Sequence, residues 1–115
     1  MAENDLIEAL KALAHPLRFR IIAALAGGER NVGEIEQATG IAQPGLSQQL
    51  GVLRKAELVE TRKQAKLVYY SISAAQLGAV TAELAALVPG IAPPAEASSA
   101  LRTPAPGVAN FARMS

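Results

Sequence analysis

The chain has 115 residues, a formal net charge of +1, and 50% hydrophobic but only 3% aromatic residues. This length predicts one domain with a modest core, built mainly from aliphatic side chains. The absence of cysteine and the single histidine, His15, exclude disulfides and thiolate or histidine metal sites, so we expect no cofactor. With no apolar run of about 18 residues and an acidic, non-secretory start, we expect a cytoplasmic protein without membrane contact.

The charge is unevenly distributed along the chain. Residues 54–66 hold five basic side chains against two acidic ones, whereas residues 1–10 hold three acidic side chains and no basic one. Because clustering matters more than the total, this basic segment predicts a polyanionic partner.

Apolar residues at helical spacing predict a first helix over Asp5–Ala14. His15, which precedes a proline, ends it and is expected to act as a cap or corner residue. A second helix is predicted over Pro16–Ala26, ended by the Gly27-Gly28 pair. Its inner stripe is Leu17, Ile21 and Leu25.

Asn31 and Glu34 have the spacing of a capping box, which opens a third helix running to Thr39. Gly40 is the expected left-handed stop, and Pro44 suits the first turn of a fourth helix. Two short helices joined by a tight corner containing glycine predict a helix-turn-helix. The inner residues of the third helix are expected to be Val32, Ile35 and Ala38.

The fourth helix should bury three leucines and expose a polar face. Gly45 and Gly51, which cost about 1 kcal/mol each inside a helix, suggest that something must approach its backbone closely. Gln can bond adenine and Ser can reach a base or a phosphate, so Gln48 and Ser47 are candidate base contacts rather than merely solvated side chains. The leucines are Leu46, Leu50 and Leu53.

Two strands, Leu58–Lys63 and Lys66–Ile72, predict a hairpin that turns near Gln64–Ala65. Its basic tip is expected to contact phosphates or the minor groove, although a charge run can also be a solvated face. Tyr69 and Tyr70 alternate, so one should pack inward. The tip residues are Arg62, Lys63, Gln64 and Lys66.

Other polar residues have two interpretations. Gln43 can contact phosphate or cap the fourth helix, and Arg18 can contact phosphate or pair with a glutamate. Arg54 and Lys55 can bind DNA or complement the helix dipole and pair with Glu57.

A last helix is predicted over Ala74–Val88. Its apolar residues are spaced 3, 4 and 3, which is a heptad-like seam that could be ordinary core or a dimer interface. Residues 89–115 hold five of the seven prolines and are predicted to be a loosely ordered tail after the folded residues 1–88. The expected interface residues are Leu6, Leu10, Leu77, Val80, Leu84 and Leu87.

The runs LKALAHPLRFRIIAAL (10–25) and NVGEIEQATGIAQPGLSQQLGVLRKAELVETRKQAKLVYYSI (31–72) resemble the ArsR/SmtB family of bacterial transcriptional repressors. The likeness covers residues 5–88 and is strongest to the biofilm-growth-associated and sulfide-responsive subgroup. It implies a mainly α winged helix-turn-helix with a β-hairpin wing, in the order ααααββα. It also implies a homodimer built on the first and last helices, with recognition helices in successive major grooves and DNA release on a signal.

The chain departs from this family where its members sense signals. Ala23 and Pro89 stand where thiol-sensing members carry cysteines, and the last helix has Gln76 and Glu83 but no histidine for zinc. Gln49 replaces a histidine common in the family. It is expected to contact DNA less directly than Ser47 and Gln48, because it lies closer to the core side of the helix. An organic effector, a partner protein or constitutive repression all remain open.

The residues and the resemblance together predict a dimeric repressor that binds a palindromic double-stranded DNA operator. The alternative is a winged-helix interaction module that binds no specific operator. An enzyme is the least favoured class, because the sequence shows no cysteine, one histidine and no evident pair of catalytic carboxylates.

Overall fold

The computed structural model describes residues 1–90. Residues 1–80 form one compact unit, and a second unit begins at Thr81. The predicted tail, 89–115, lies outside the described residues except for its first two positions. The described part of the chain contains helices α1 (Glu3–Leu13), α2 (Pro16–Leu25), α3 (Val32–Thr39), α4 (Gly45–Lys55) and α5 (Ala74–Ala85), and strands β1 (Arg30–Asn31), β2 (Val59–Gln64) and β3 (Leu67–Ile72).

The corner between α1 and α2 is a side-chain cap. His15 has extended backbone, and its Nδ1 accepts a hydrogen bond from the backbone N–H of Leu17 at 3.2 Å. Pro16, which has no N–H to leave unpaired, occupies the first helical position. The expected role of His15 as a cap is confirmed.

Helix α3 begins and ends with the predicted signals. Asn31 N–H donates to Glu34 Oε1 and Glu34 N–H donates to Asn31 Oδ1, both at 2.9 Å, and Gly40 has a φ of 76°. The expected inner position of Ala38 is wrong, because Ala38 is exposed and Thr39 is buried instead. The Thr39 hydroxyl donates to Ile35 O at 2.7 Å, which allows a polar residue to face the core.

The hairpin belongs to a three-stranded antiparallel sheet with the order β1-β3-β2. Strand β1, only two residues long, was not expected from the sequence. The turn lies at Ala65 and Lys66, one residue later than predicted, because Gln64 pairs with Leu67. Ala65 adopts the left-handed conformation that a two-residue hairpin turn needs, with a φ of 58°.

The core is aliphatic, as the composition predicted. Three leucines of α4 are almost fully buried, with exposed fractions of 0%, 2% and 0% for Leu46, Leu50 and Leu53. They pack with Ile21 of α2 and Ile35 of α3, both also 0% exposed. This packing fixes which face of α4 points to solvent.

Candidate nucleic-acid interface

The exposed face of α4 begins with a local cap. Gln43 Oε1 accepts hydrogen bonds from the backbone N–H of Ser47 at 3.0 Å and from its hydroxyl at 2.7 Å. Gln43 therefore makes the expected capping contact in this structure. Ser47 is exposed, but its hydroxyl already donates a hydrogen bond to Gln43. Gln48 is exposed on the same face. Its amide therefore faces solvent.

Gln49 lies on the flank of α4 and is held by α2. Arg18 Nη1 donates to Gln49 Oε1 at 2.9 Å, while Arg18 Nε donates to Ala12 O at 2.6 Å. The expected ion pair of Arg18 with a glutamate is not seen, because its side chain donates to carbonyl oxygens instead. Through Arg18 of α2, the end of α1 is thus connected to α4.

The last turn of α4 carries Arg54 and Lys55, both exposed. Positive charge at a helix C-terminus complements the carbonyl end of the helix dipole. They are the two basic residues of α4.

At the hairpin, Arg62 is bound within the protein. Its Nε and Nη2 donate to the two carboxylate oxygens of Glu29 at 2.6 and 2.8 Å, and Nη1 donates to Gln64 Oε1 at 2.6 Å. The guanidinium also lies over the Tyr69 ring, 4.9 Å from its centroid. Arg62 and Gln64 were predicted as DNA contacts, and both already have partners here.

This ion pair shifts both titrations. The hydrogen bond from Arg62 lowers the pKa of the Glu29 carboxyl, and the same bond raises the pKa of the Arg62 guanidinium. Both groups are therefore charged at neutral pH.

Lys63 and Lys66 lie at the exposed end of the hairpin. Lys63 is the penultimate residue of β2, and Lys66 belongs to the turn. Both residues lie closer to the tip of the hairpin than Arg62 does. Tyr70, by contrast, packs against the core, as one of the two tyrosines was expected to do.

The predicted dimer residues fall into three groups by exposure. Leu6, Leu10 and Leu77 are partly buried against the core, whereas Leu84 and Leu87 are 43% and 75% exposed. Val80 is only 2% exposed and forms part of the core, so it offers no surface to a partner in this structure. Of the apolar residues predicted for the last helix, Val80 therefore belongs to the core of the protomer, whereas Leu84 and Leu87 are exposed to solvent.

Comparison with known proteins places this geometry in a family. Residues 13–62 match the helix-turn-helix domain family. The biofilm growth-associated repressor of Xylella fastidiosa is 48% identical over 73 residues, which is 64% of each chain, and that of Agrobacterium fabrum is 53% identical over 64 residues. The crystal structure of the transcriptional repressor BigR from Xylella fastidiosa superposes with a TM-score of 0.60 at 46% identity, over 67% of this chain and 80% of that one. The chain belongs to the ArsR/SmtB family.

A solution structure from Mycobacterium bovis adds a further ArsR/SmtB likeness. It is described as a homodimeric winged helix-turn-helix DNA-binding domain, and it has 37% identity and a TM-score of 0.58 over 61% of this chain and 65% of that one. The predicted fold class is confirmed, with β1 as an addition. The match covers 64% of the length of the Xylella relative and 55% of the Agrobacterium one.

The positions at which thiol-sensing ArsR/SmtB relatives were expected to carry cysteines hold residues without a thiol in this chain. Ala23 is exposed on α2, and Pro89 is exposed after α5. Across residues 1–90, no group of three or more His, Cys, Asp or Glu side chains could hold a metal ion. No helix in that range is long and apolar enough to cross a membrane.

The sequence interpretation missed the contacts that organise this surface. Glu29–Arg62 and Arg18–Gln49 join residues that lie 33 and 31 positions apart in the chain. Local patterns carry no signal for such pairs. The pairing of Arg62 with Tyr69 was missed because the turn was predicted one residue too early, and only the observed register places these two residues opposite each other on one face.

Proposed function

We propose that this protein is a homodimeric transcriptional repressor that binds a palindromic DNA operator. The observation that carries the proposal is the orientation of α4, whose three leucines are buried while Ser47 and Gln48 face solvent. The exposed cations Lys63 and Lys66 lie on the hairpin that follows it. The names of the Xylella and Agrobacterium relatives, which are repressors, support the same function.

In this proposal some side chains of the surface recognise bases and others bind the phosphate backbone. Gln48 reads a base edge in the major groove, where a bidentate amide contact discriminates by about 1–3 kcal/mol. Lys63 and Lys66 neutralise phosphates and carry no sequence information. Arg54 and Lys55 add positive charge at the end of the recognition helix.

The second copy supplies the second half-site. In the proposed dimer, α1 and α5 meet their counterparts through the partly covered side chains of Leu6 and Leu10 and the exposed ones of Leu84 and Leu87. The half-sites would then lie about one helical turn, roughly 10 base pairs, apart. An operator-binding protein works beside the chromosome, so the proposal places it in the cytoplasm.

We propose that the inducing signal, if one exists, does not act through cysteine chemistry, since Ala23 and Pro89 have no thiol. An organic effector or a partner protein at the dimer interface is one form of the proposal, and constitutive repression is the other. Adding zinc, arsenite or persulfide to the operator complex should leave it bound. Release by direct binding of any of these reagents would contradict this part of the proposal.

The test is a fluorescence anisotropy titration of duplexes from the region upstream of the chain's own gene, against scrambled duplexes, at two salt concentrations. Gln48→Ala should bring specific and scrambled affinities closer together. Lys63→Ala should weaken both alike and reduce the slope of log affinity against log salt by about 0.9 for each phosphate that the protein no longer neutralises. Salt-insensitive binding, or none, would favour the interaction module instead.

A further inference from the structure

A row of three side chains crosses the sheet beside the hairpin. Tyr69 of β3 pairs with Asn31 of β1 on one side and with Arg62 of β2 on the other. Asn31 is also the N-cap of α3. The row therefore connects the hairpin directly to the residue that starts the helix-turn-helix.

Arg62 closes this row by reaching Glu29, which lies immediately before β1. Its side chain passes over the Tyr69 ring at 4.9 Å and ends in a two-pronged contact with the Glu29 carboxylate. Strands β1 and β2 are not neighbours in the sheet. The ion pair thus spans β3 and ties the two outer strands together.

The Arg62 guanidinium uses three of its five N–H donors within the protein. Each of its three nitrogens donates a hydrogen bond of 2.6 to 2.8 Å, two to Glu29 and one to Gln64. A phosphate that bound the Nε and Nη2 side of the guanidinium would have to displace a carboxylate that matches this fork in shape and charge. Lys63 and Lys66 face no such competition in the contacts seen for the hairpin.

We propose that Arg62 is a positioning residue: with Glu29 it sets the angle of the hairpin relative to the helix-turn-helix and does not itself contact DNA. This inference rests on the proposed function. It assigns the phosphate contacts of the hairpin to Lys63 and Lys66, and it makes Glu29, an acidic residue, favourable for DNA binding.

The sign of the Glu29→Gln effect separates the two roles of Arg62. If Arg62 positions the hairpin, Glu29→Gln should weaken operator binding several-fold, although it removes a negative charge. If Arg62 binds phosphate, the same change frees it and should tighten binding. Glu60→Gln on β2 is the matched control, because it removes an exposed carboxylate from the same hairpin. A Glu29→Gln variant that binds as tightly as Glu60→Gln, or more tightly, would overturn the proposal.

Variants of Arg62 supply a readout that loss of structure alone would not produce. Arg62→Gln should weaken binding while the salt slope stays that of the wild type, whereas Lys63→Gln should lower the slope by about 0.9 per protomer. Arg62→Lys should behave like Arg62→Gln, because an ammonium keeps the charge but cannot form the two-pronged contact. The double variant Glu29→Gln/Arg62→Gln should be no weaker than either single one. A reduced slope in Arg62→Gln that Arg62→Lys restores would show a phosphate contact.

Hydrogen exchange in the free protein tests the positioning without DNA. Glu29→Gln should speed exchange of the backbone amides of residues 62–69, followed by NMR, relative to Glu60→Gln. Equal exchange in the two variants would reject the positioning role even if the operator is bound. Faster exchange together with no operator binding by the wild type would reject the proposed function and leave the geometric role standing.

Discussion

Helices α4 and α1 both have 11 residues, yet they are anchored in opposite ways. Helix α4 buries three leucines and shows solvent a mainly polar face. Helix α1 buries only Ala9 and Ala12, leaves Leu6 and Leu10 partly covered, and exposes 42% of Ile7. A helix anchored by large side chains in its own protomer has its outer face free for a different molecule. A helix anchored by alanines still has apolar surface to bury, which a second copy can cover.

The largest effect should come from the anchor of α4. Leu53→Ala removes a side chain that is 0% exposed and should lower the free energy of unfolding by about 2–5 kcal/mol, measured by urea denaturation. The adjacent Val52, 40% exposed, is the control, and Val52→Ala should cost far less. Equal losses at the two positions would break the distinction between the two faces of α4.

The next effect should appear at α1 as a loss of association. Ile7→Glu places a charge on the exposed part of the helix and should raise the dimer dissociation constant about tenfold or more, measured by sedimentation equilibrium. Val52→Glu adds the same charge to the exposed face of α4 and should leave the dimer intact. If the two variants associate equally well, α1 is not the surface that a second copy covers.

A smaller effect is expected at a glycine on the outer face of α4. A Cβ at Gly51 meets no atom within 4 Å, so Gly51→Ala should stabilise the helix by about 1 kcal/mol while weakening DNA binding. Gly78→Ala on α5 has equal space and should give a similar rise in unfolding free energy. Unchanged operator affinity in Gly51→Ala would show that DNA does not need close approach to the α4 backbone.

The smallest effect should be the pH dependence of the Glu29–Arg62 pair, because both side chains are partly exposed to solvent. The pKa of Glu29 is lowered, so its contribution is present above the pKa of a free glutamate, about 4.3, and is lost as the pH falls through the lower folded value. The stability difference between wild type and Glu29→Gln should therefore be constant at neutral pH and shrink in acid. A difference that grows in acid would contradict this sign.

Local signals predicted the five helices, the hairpin and several of the helix ends, although α5 ends at Ala85 and not at Val88 as predicted. The capping box of Asn31 and Glu34, the left-handed Gly40 and the His15 cap each depend on residues within three positions of one another. The buried leucines of α4 followed from helical spacing alone. These features could be predicted because the residues that cause them lie within a few positions of one another in the sequence.

The features that were missed have causes elsewhere in the chain. Strand β1 has two residues, too few for an alternating pattern, and it forms because β3 offers a free edge. Arg62 was predicted to contact DNA, and Arg18 to contact phosphate or a glutamate, because nothing near them in the sequence indicates Glu29 or Gln49 as partners. Residues far apart in the chain meet only after folding, so the sequence could not show that Arg62 is already paired within the protein.

The double role of Asn31 sets the boundaries for transplanting DNA specificity between relatives. As a strand residue it pairs with Tyr69, and as an N-cap it starts α3. Exchanging α3 and α4 alone would separate α3 from its N-cap, Asn31, which would stay paired with Tyr69 in the recipient. A transplanted segment should therefore run from Arg30 to Ile72, and it should include Glu29 so that the contact with Arg62 is kept.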